Sequence, residues 1–202
     1  MGDSRVRLEQ IRTTGRVFGR VLVVGAGETV GAVDMSTASA VLYEFPAGSW
    51  DYPAINPAPL DTDSGVNGTI KRQLLDDAFQ NSVISQVKLP GSLNLVDSIY
   101  FEAVGYAVTA VAGREIRLTF GHAPMSDGES WDTALSPVES TDASCNSVQD
   151  ALDFFQWSET VSNLGWTSNE LVRISLKRAS PTGTNLVGNW GLVHFRIRVP
   201  RA

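Results

Sequence analysis

The chain has 202 residues, of which 43% are hydrophobic and 19% charged, a composition typical of a globular protein and not of a disordered one. Its single cysteine, Cys145, excludes an internal disulfide framework, and no apolar stretch approaches the ~20 residues that a membrane helix needs. The net charge is −6, and the charges are unevenly distributed. Residues 1–20 carry five basic and two acidic side chains, and residues 21–170 carry five basic and 20 acidic ones. Residues 171–202 carry six basic side chains and no acidic one. Such an acidic body repels phosphates, which argues against nucleic acid, and the basic ends favour docking on an oppositely charged protein.

The first third of the chain is predicted to lie outside the main domain. We interpret residues 1–67 as an N-terminal arm or small subdomain that ends in a linker, because residues 46–59 contain four prolines and few apolar runs. The arm carries five arginines, which can make bidentate contacts with carboxylates on a partner: Arg5, Arg7, Arg12, Arg16 and Arg20. There is no apolar segment behind the charged start, so no secretory signal is predicted and we expect a soluble protein made in a reducing cytoplasm.

Residues 21–33, VLVVGAGETVGAV, look like the phosphate-binding turn of a dinucleotide-binding fold. The match fails at Val30, where close packing of a helix on a strand requires a glycine, and the residues that follow are poor helix formers. No further alternation of strand and helix follows. Glycines that join two short strands explain the stretch better, and we predict no cofactor.

Residues 68–202 are predicted to form an antiparallel β-sandwich. Apolar and polar residues alternate with a period of two, which is typical of strands that are buried on one face. The predicted strands are residues 82–89, 98–108, 115–120, 172–177 and 193–199, and clusters of turn-forming residues separate them. Two segments stay open between helix and strand: residues 69–79, which are rich in good helix formers, and residues 150–157.

The sequence offers no assembled catalytic or metal site. The two histidines, His122 and His194, have no nearby partner along the chain, and the Gly-x-Ser-x-Gly turn of serine hydrolases is absent. Residues 61–68 resemble half of a calcium loop but have Arg72 where the last glutamate ligand should stand, and residues 127–132 gather three carboxylates. We interpret both loops as hydrated acidic turns and leave cation binding open.

The five tryptophans fall into two groups. Trp157, Trp166 and Trp190 flank predicted strands, which favours core or rim packing. Trp50 and Trp131 lie in predicted loops, where they could stack on a sugar or on a neighbouring subunit.

Several segments together resemble β-sandwich modules of bacteriophage virion proteins. They are residues 87–93 (VKLPGSL), 99–106 (IYFEAVGY), 114–120 (REIRLTF) followed by 127–129 (DGE), 170–178 (ELVRISLKR) and 190–199 (WGLVHFRIRV). The resemblance covers about residues 80–200. It implies a jelly-roll fold, assembly as homotrimers on the virion surface, attachment through an N-terminal arm, and no catalytic residues.

From these observations we expect a non-enzymatic capsid decoration (cement) protein that binds the major capsid protein and stabilises the head. It would be assembled in the host cytoplasm and contact neither nucleic acid nor membrane. The alternative is a tail or receptor-binding module that recognises a host-surface glycan through Trp50, Trp131 and residues 127–132. A nucleotide-dependent enzyme is a third reading, and the sequence leaves the oligomeric state and the choice between head and tail open.

Overall fold

In the computed structural model, residues 40–76, 81–109, 114–148 and 150–202 are described, and they belong to one structural unit. The regular structure of the described residues is mostly β, with a single 3-10 turn at Ala47–Ser49 and one short helix, α1 (Val161–Leu164). The strands in chain order are β1 (Ala40–Pro46), β2 (Leu60–Gly65), β3 (Gly68–Leu75), β4 (Ser82–Lys88), β5 (Ser98–Ala107), β6 (Glu115–Met125), β7 (Ser136–Glu139), β8 (Ala143–Ser144), β9 (Asp153–Thr160), β10 (Leu171–Ala179) and β11 (Trp190–Pro200). No helix in these ranges is long and apolar enough to cross a membrane.

The strands form two antiparallel sheets. The first sheet has the order β2-β3-β11-β5-β9, and β1 pairs with β11 beside β3. The central strand β11 pairs with β5 on one side, while on the other side β3 covers its first three residues and β1 covers residues 194–200. The second sheet has the order β4-β10-β6-β7, with β8 paired to the start of β6.

The strand order is that of a jelly roll. Setting aside β1, β2 and β8, the eight remaining strands alternate between the sheets along the chain, except that β6 and β7 are neighbours in the second sheet. The last strand, β11, inserts beside the first, β3, as a jelly roll of two Greek keys requires. The predicted antiparallel β-sandwich is thus confirmed, whereas residues 1–39 of the predicted N-terminal arm lie outside the described residues.

The core lies between the two sheets and is built by the alternation seen in the sequence. Ile116, Leu118 and Phe120 of β6 point inward, as do Val172, Ile174 and Leu176 of β10, and all are almost fully buried. Trp166 and Trp190 are also buried, which confirms the core role predicted for them.

Trp50 belongs to this core, so the prediction that it is available to a ligand or subunit is wrong. Its side chain is only 5% exposed, and its ring centroid lies 5.0 Å from that of Phe45 and 5.9 Å from that of Phe195. The 3-10 turn after β1 brings the ring of Trp50 onto Phe45 and Phe195, where burial of its apolar surface is favourable.

The predicted boundary between residues 67 and 68 falls inside the β2–β3 hairpin. Gly65 and Gly68 close this hairpin, and β1 pairs with β11 through seven residue pairs. The proline-rich segment between them is held against the edge of β4 by paired backbone hydrogen bonds between Asp51 and Ile84, at 2.9 and 3.0 Å. Residues 40–67 therefore belong to the sandwich and do not form a linker.

Candidate functional site

The outer face of the first sheet exposes large apolar side chains that an exposed antiparallel face usually lacks. Five of them are at least 36% exposed: Leu42 (45%), Ile70 (36%), Tyr100 (53%), Leu152 (42%) and Phe154 (63%). They divide into two surfaces, a groove around Tyr100 at one end of the sheet and an apolar patch beside the β2–β3 hairpin at the other.

The strand register builds the first surface, which we call the Tyr100 groove and define by Leu42, Tyr100, Glu102, Gln156, Arg196 and Arg198. Arg198 on β11 lies between Leu42 on β1 and Tyr100 on β5 in one row across the sheet. Two residues along, Arg196 lies beside Glu102, and Gln156 on β9 lies beside Glu102 on the other side. Because residues two apart on a strand share a face, all six side chains line the same surface.

The polar side chains of the groove hold one another in place. Glu102 is the centre: its Oε1 lies 3.0 Å from Arg196 Nε, and its Oε2 accepts a hydrogen bond of 2.5 Å from Gln156 Nε2. The guanidinium carbon of Arg198 lies 5.8 Å from the centroid of the Tyr100 ring, within cation–π range. These contacts restrict the rotamers of partly exposed side chains, as a preformed binding site requires.

Two cavities adjoin at Tyr100. One, of about 360 Å³, is lined by the residues of the Tyr100 groove together with Phe101. The other, of about 210 Å³, is lined by Ala40, Asp97, Ser98, Tyr100, Arg198 and Pro200. Tyr100 and Arg198 line both cavities, so the two cavities lie on either side of this pair of side chains on β5 and β11.

The second surface, which we call the hairpin patch, consists of Val66, Ile70, Leu152 and Phe154. The first three line a cavity of about 480 Å³ between the tip of the β2–β3 hairpin and the start of β9, and Phe154 follows Leu152 on the same face. Val66 is fully exposed at the tip. Asp63 and Asp150 line the same cavity, so its rim is acidic.

Arg72 closes the acidic β2–β3 loop. Its Nε and Nη2 donate to Asp61 Oδ2 at 3.0 and 2.9 Å, and its Nη1 donates to Asp63 Oδ2 at 2.6 Å and to the Tyr106 hydroxyl at 2.8 Å. Hydrogen bonding to Arg72 lowers the pKa of Asp61, while burial raises the pKa of Tyr106 to about 12. The guanidinium group thus occupies one oxygen of each of the two carboxylates that a calcium ion would use at residues 61–68.

Trp131 is exposed, as predicted, but the loop that carries it is not free. Within this loop, residues 126–135, the carbonyl oxygens of Trp131 and Thr133 accept hydrogen bonds from the Arg173 guanidinium, the first at 2.5 Å. Leu135 packs against Gly121 on the outer face of the second sheet. The ring of Trp131 is 75% exposed on this anchored backbone, which suits a contact residue.

The remaining chemically active residues serve the core. His122 is buried, accepts a hydrogen bond of 3.3 Å from Trp166 Nε1, and has its pKa lowered by burial. Burial raises the pKa of Cys145 to about 12. In the described ranges, no three His, Cys, Asp or Glu side chains are placed to hold a metal ion, so residues 127–132 do not form such a group.

The other predicted contact residues have different outcomes. The arginines Arg5, Arg7, Arg12, Arg16 and Arg20, and the glycines of residues 21–33, lie outside the described residues. The basic C-terminal segment does not form one charged surface, because β10 and β11 belong to different sheets. Arg178 is fully buried and donates to the carbonyl oxygens of Leu186 and Gly188, and Arg196 pairs with Glu102.

The sequence matches no protein-family profile and no curated protein. Among solved structures, the chain is similar to a xylan-binding module, with 13% identity and a TM-score of 0.45 over 80% of this chain and 99% of the module. It is also similar to an exo-β-1,3-galactanase from Phanerochaete chrysosporium solved with galactose (10% identity, TM-score 0.43, 78% of this chain and 29% of the enzyme). A third similar structure is that of the Gx strain of infectious bursal disease virus (14% identity, TM-score 0.35, 81% of this chain and 33% of the viral chain). At these values the comparison assigns the chain neither a function nor an origin.

Proposed function

We propose that this chain is a structural protein of a virion, a decoration protein that binds the major capsid protein and stabilises the shell without catalysing a reaction. The observation that carries the proposal is the hairpin patch, where Val66, Ile70, Leu152 and Phe154 are exposed at one end of the first sheet. Exposed apolar side chains that cluster on one face are typical of surfaces that bind another protein.

The rim of the patch indicates the chemistry of the partner. Asp63 and Asp150 border its cavity, so a partner surface with an apolar centre and basic side chains around it would fit. Rim charges of this kind steer association and fix orientation, while the apolar centre supplies most of the affinity.

The resemblance to phage virion modules supports the remaining parts of the proposal. In this proposal the protein is a homotrimer on the capsid surface, assembled in the host cytoplasm. The arginines of residues 1–20 contact carboxylates of neighbouring capsid subunits, and the protein has no nucleic-acid or membrane partner. An arm that crosses several subunits adds buried area that resists pressure from inside the shell.

Co-sedimentation with capsid shells that lack the protein tests this proposal. We expect the double variant Val66→Ser/Phe154→Ser to bind at least about tenfold more weakly, the change that ~1.4 kcal/mol of lost contact produces. The matched control, Ile55→Ser/Val187→Ser, removes two equally exposed apolar side chains elsewhere and should bind normally. Binding that is unchanged in the patch variant would refute the patch as the contact, and undiminished attachment without residues 1–20 would refute the role of the arm.

A second candidate function is recognition of a host-surface glycan by a tail or receptor-binding module. The Tyr100 groove favours it, because an exposed aromatic ring stands beside a row of planar polar side chains, Glu102, Gln156 and Arg196. Trp131 remains a contact candidate on the opposite sheet, whereas Trp50 does not. Binding of the protein to a glycan array distinguishes this function from capsid attachment.

A further inference from the structure

We propose that the Tyr100 groove binds an uncharged oligosaccharide. This inference rests on the second candidate function, glycan recognition, and assigns that function to the Tyr100 groove and not to the Trp131 loop. The argument uses the exposed ring of Tyr100, the polar row beside it, the balance of charges in the groove and the two cavities that meet there.

Tyr100 supplies the apolar platform. Its side chain is 53% exposed on the face of a sheet whose neighbouring strands hold it on both sides. The Arg198 guanidinium over its ring and the position of Leu42 in the same row limit its motion. A sugar ring has an apolar face of C–H groups, and a rigid, amphipathic aromatic ring covers such a face at a low entropic cost.

The polar row supplies both donors and acceptors. The Gln156 amide uses one N–H for Glu102, so its carbonyl oxygen and second N–H can serve a ligand. The Arg196 side chain is 42% exposed and uses its Nε side toward Glu102, which leaves its terminal N–H groups as donors. Sugar hydroxyls donate and accept at once, and a fixed mixture of both groups matches that property.

The charge balance argues for an uncharged ligand. The charged residues that line the two cavities are two acids, Asp97 and Glu102, and two bases, Arg196 and Arg198. Glu102 also lies between Arg196 and Gln156 in one row across the sheet, so a carboxylate on the ligand would approach the Glu102 carboxylate. An anionic sugar or an acidic peptide therefore gains little from this groove.

The two cavities set the length of the ligand. Their volumes, about 210 and 360 Å³, lie on either side of Tyr100 and Arg198. A single sugar can contact one of the two cavities, whereas a chain of two or more sugars can cross Tyr100 and contact both. We therefore expect an oligosaccharide to bind more tightly than the monosaccharide that composes it.

Calorimetric titration of the full chain tests the proposal. The probes are cellohexaose, xylohexaose and maltohexaose as uncharged chains, hexagalacturonate as the charged match, and glucose and xylose as single units. We expect at least one uncharged hexasaccharide to bind, more tightly than hexagalacturonate and than its own monosaccharide. Tyr100→Ala should weaken that binding about tenfold, which corresponds to ~1.4 kcal/mol, and Tyr100→Phe should retain it.

The controls keep the site distinct from other surfaces. Trp131→Ala, which removes an exposed aromatic ring from the opposite sheet, should bind the hexasaccharide normally, as should Val66→Ser at the tip of the β2–β3 hairpin. Failure of all three uncharged chains to bind, or tighter binding of hexagalacturonate, would overturn the proposal. Sugar binding that is lost in Trp131→Ala and kept in Tyr100→Ala would leave glycan recognition standing and overturn the groove as its site. Capsid co-sedimentation is expected to be unchanged in Tyr100→Ala, so the tests of capsid binding and of sugar binding give independent results.

Discussion

The indole of Trp190 occupies the space that a side chain on Gly105 would fill. A methyl group on Gly105 would lie 2.5 Å from Trp190 Cζ2 and 2.4 Å from the carbonyl oxygen of Gly191. Both neighbours are fixed, because Trp190 is fully buried and Gly191 is part of the central strand β11. The closeness of β5 and β11 at this point thus depends on the missing side chain.

We therefore expect Gly105→Ala to lower the free energy of unfolding by about 1–3 kcal/mol, the usual cost of overpacking a core. Chemical denaturation measures the change. Gly48→Ala is the matched control, because its added methyl group would come no closer than 3.9 Å to another side chain and should change stability little. Equal stability of the two variants would show that the core relaxes at Trp190.

Arg72 ties the β2–β3 hairpin to the sheet, so we expect Arg72→Met to lower the free energy of unfolding by about 2 kcal/mol. The variant loses the bonds to Asp61, Asp63 and Tyr106, and the exposure of the two carboxylates keeps the cost below that of a fully buried ion pair. Lys71→Met, which alters the exposed neighbouring side chain on the other face of the same strand, is the control for denaturation measurements. A similar stability for both variants would contradict a structural role of Arg72.

Because Arg72 occupies the carboxylates of residues 61–68, we expect calcium to leave the melting temperature unchanged. Differential scanning calorimetry with calcium and with a chelator measures this. A rise in melting temperature that persists in an Asp132→Asn variant, with the second acidic loop weakened, would contradict this expectation. Binding of an ion to the folded state alone must raise the melting temperature, so the test is sensitive to weak sites.

Asp153 makes stability depend on pH. It is buried, Trp190 Nε1 donates to its Oδ2 at 3.2 Å, and burial raises its pKa more than the bonds from Trp190 and Asn146 lower it. The folded state therefore holds the proton more tightly than the unfolded state, so ionisation of Asp153 costs stability as pH rises above the unfolded pKa, about 3.9.

Asp153→Asn cannot ionise and should gain stability relative to the natural chain as the pH is raised from about 4 to about 7. A constant offset of about 1 kcal/mol is expected at every pH, because the amide has one acceptor oxygen for two donors. Free energies of unfolding at several pH values measure the trend. A difference that stays constant with pH would contradict a raised pKa.

Cys145 should not react with thiol reagents while the protein is folded. Its thiol is buried, and burial together with the charge of Asp153 raises its pKa to about 12, so almost no thiolate forms at neutral pH. We expect one thiol to react with an aromatic disulfide reagent in denaturant, and a much slower reaction in buffer. Equally fast reactions in both would mean that the segment around Cys145 opens readily.

The sequence predicts the strands that have one buried and one more exposed face. β5, β6, β10 and β11 alternate because one face of each is buried, and this contrast is visible locally. β2 (LDTDSG) has no such contrast, since neither face enters the core, and only its pairing with β3 makes it a strand. Residues 71–75 of β3 are good helix formers, but the sheet overrides that preference because β2 and β11 supply hydrogen-bonding partners on the two sides of β3.

The Tyr100 groove has no signature along the chain. Tyr100, Gln156 and Arg198 come from three strands far apart in sequence, and each occupies an ordinary outward position in its strand. Only the register of β5, β9 and β11 brings them into adjacent rows. The sequence predicts that Trp50 is exposed, because its proline-rich surroundings indicate a loop. Nothing in the local sequence indicates that this loop folds back onto Phe45 and buries the ring.

The position of β11 constrains the order of events during biosynthesis. Trp190–Pro200 pairs with β1, β3 and β5, which are formed from residues 40–107, so the first sheet has no centre until this strand has been translated. After β5 has been translated, about 80 further residues must be synthesised before β11 is available to pair with β1, β3 and β5. We expect a nascent chain stalled before residue 190 to be sensitive to protease and to bind chaperones.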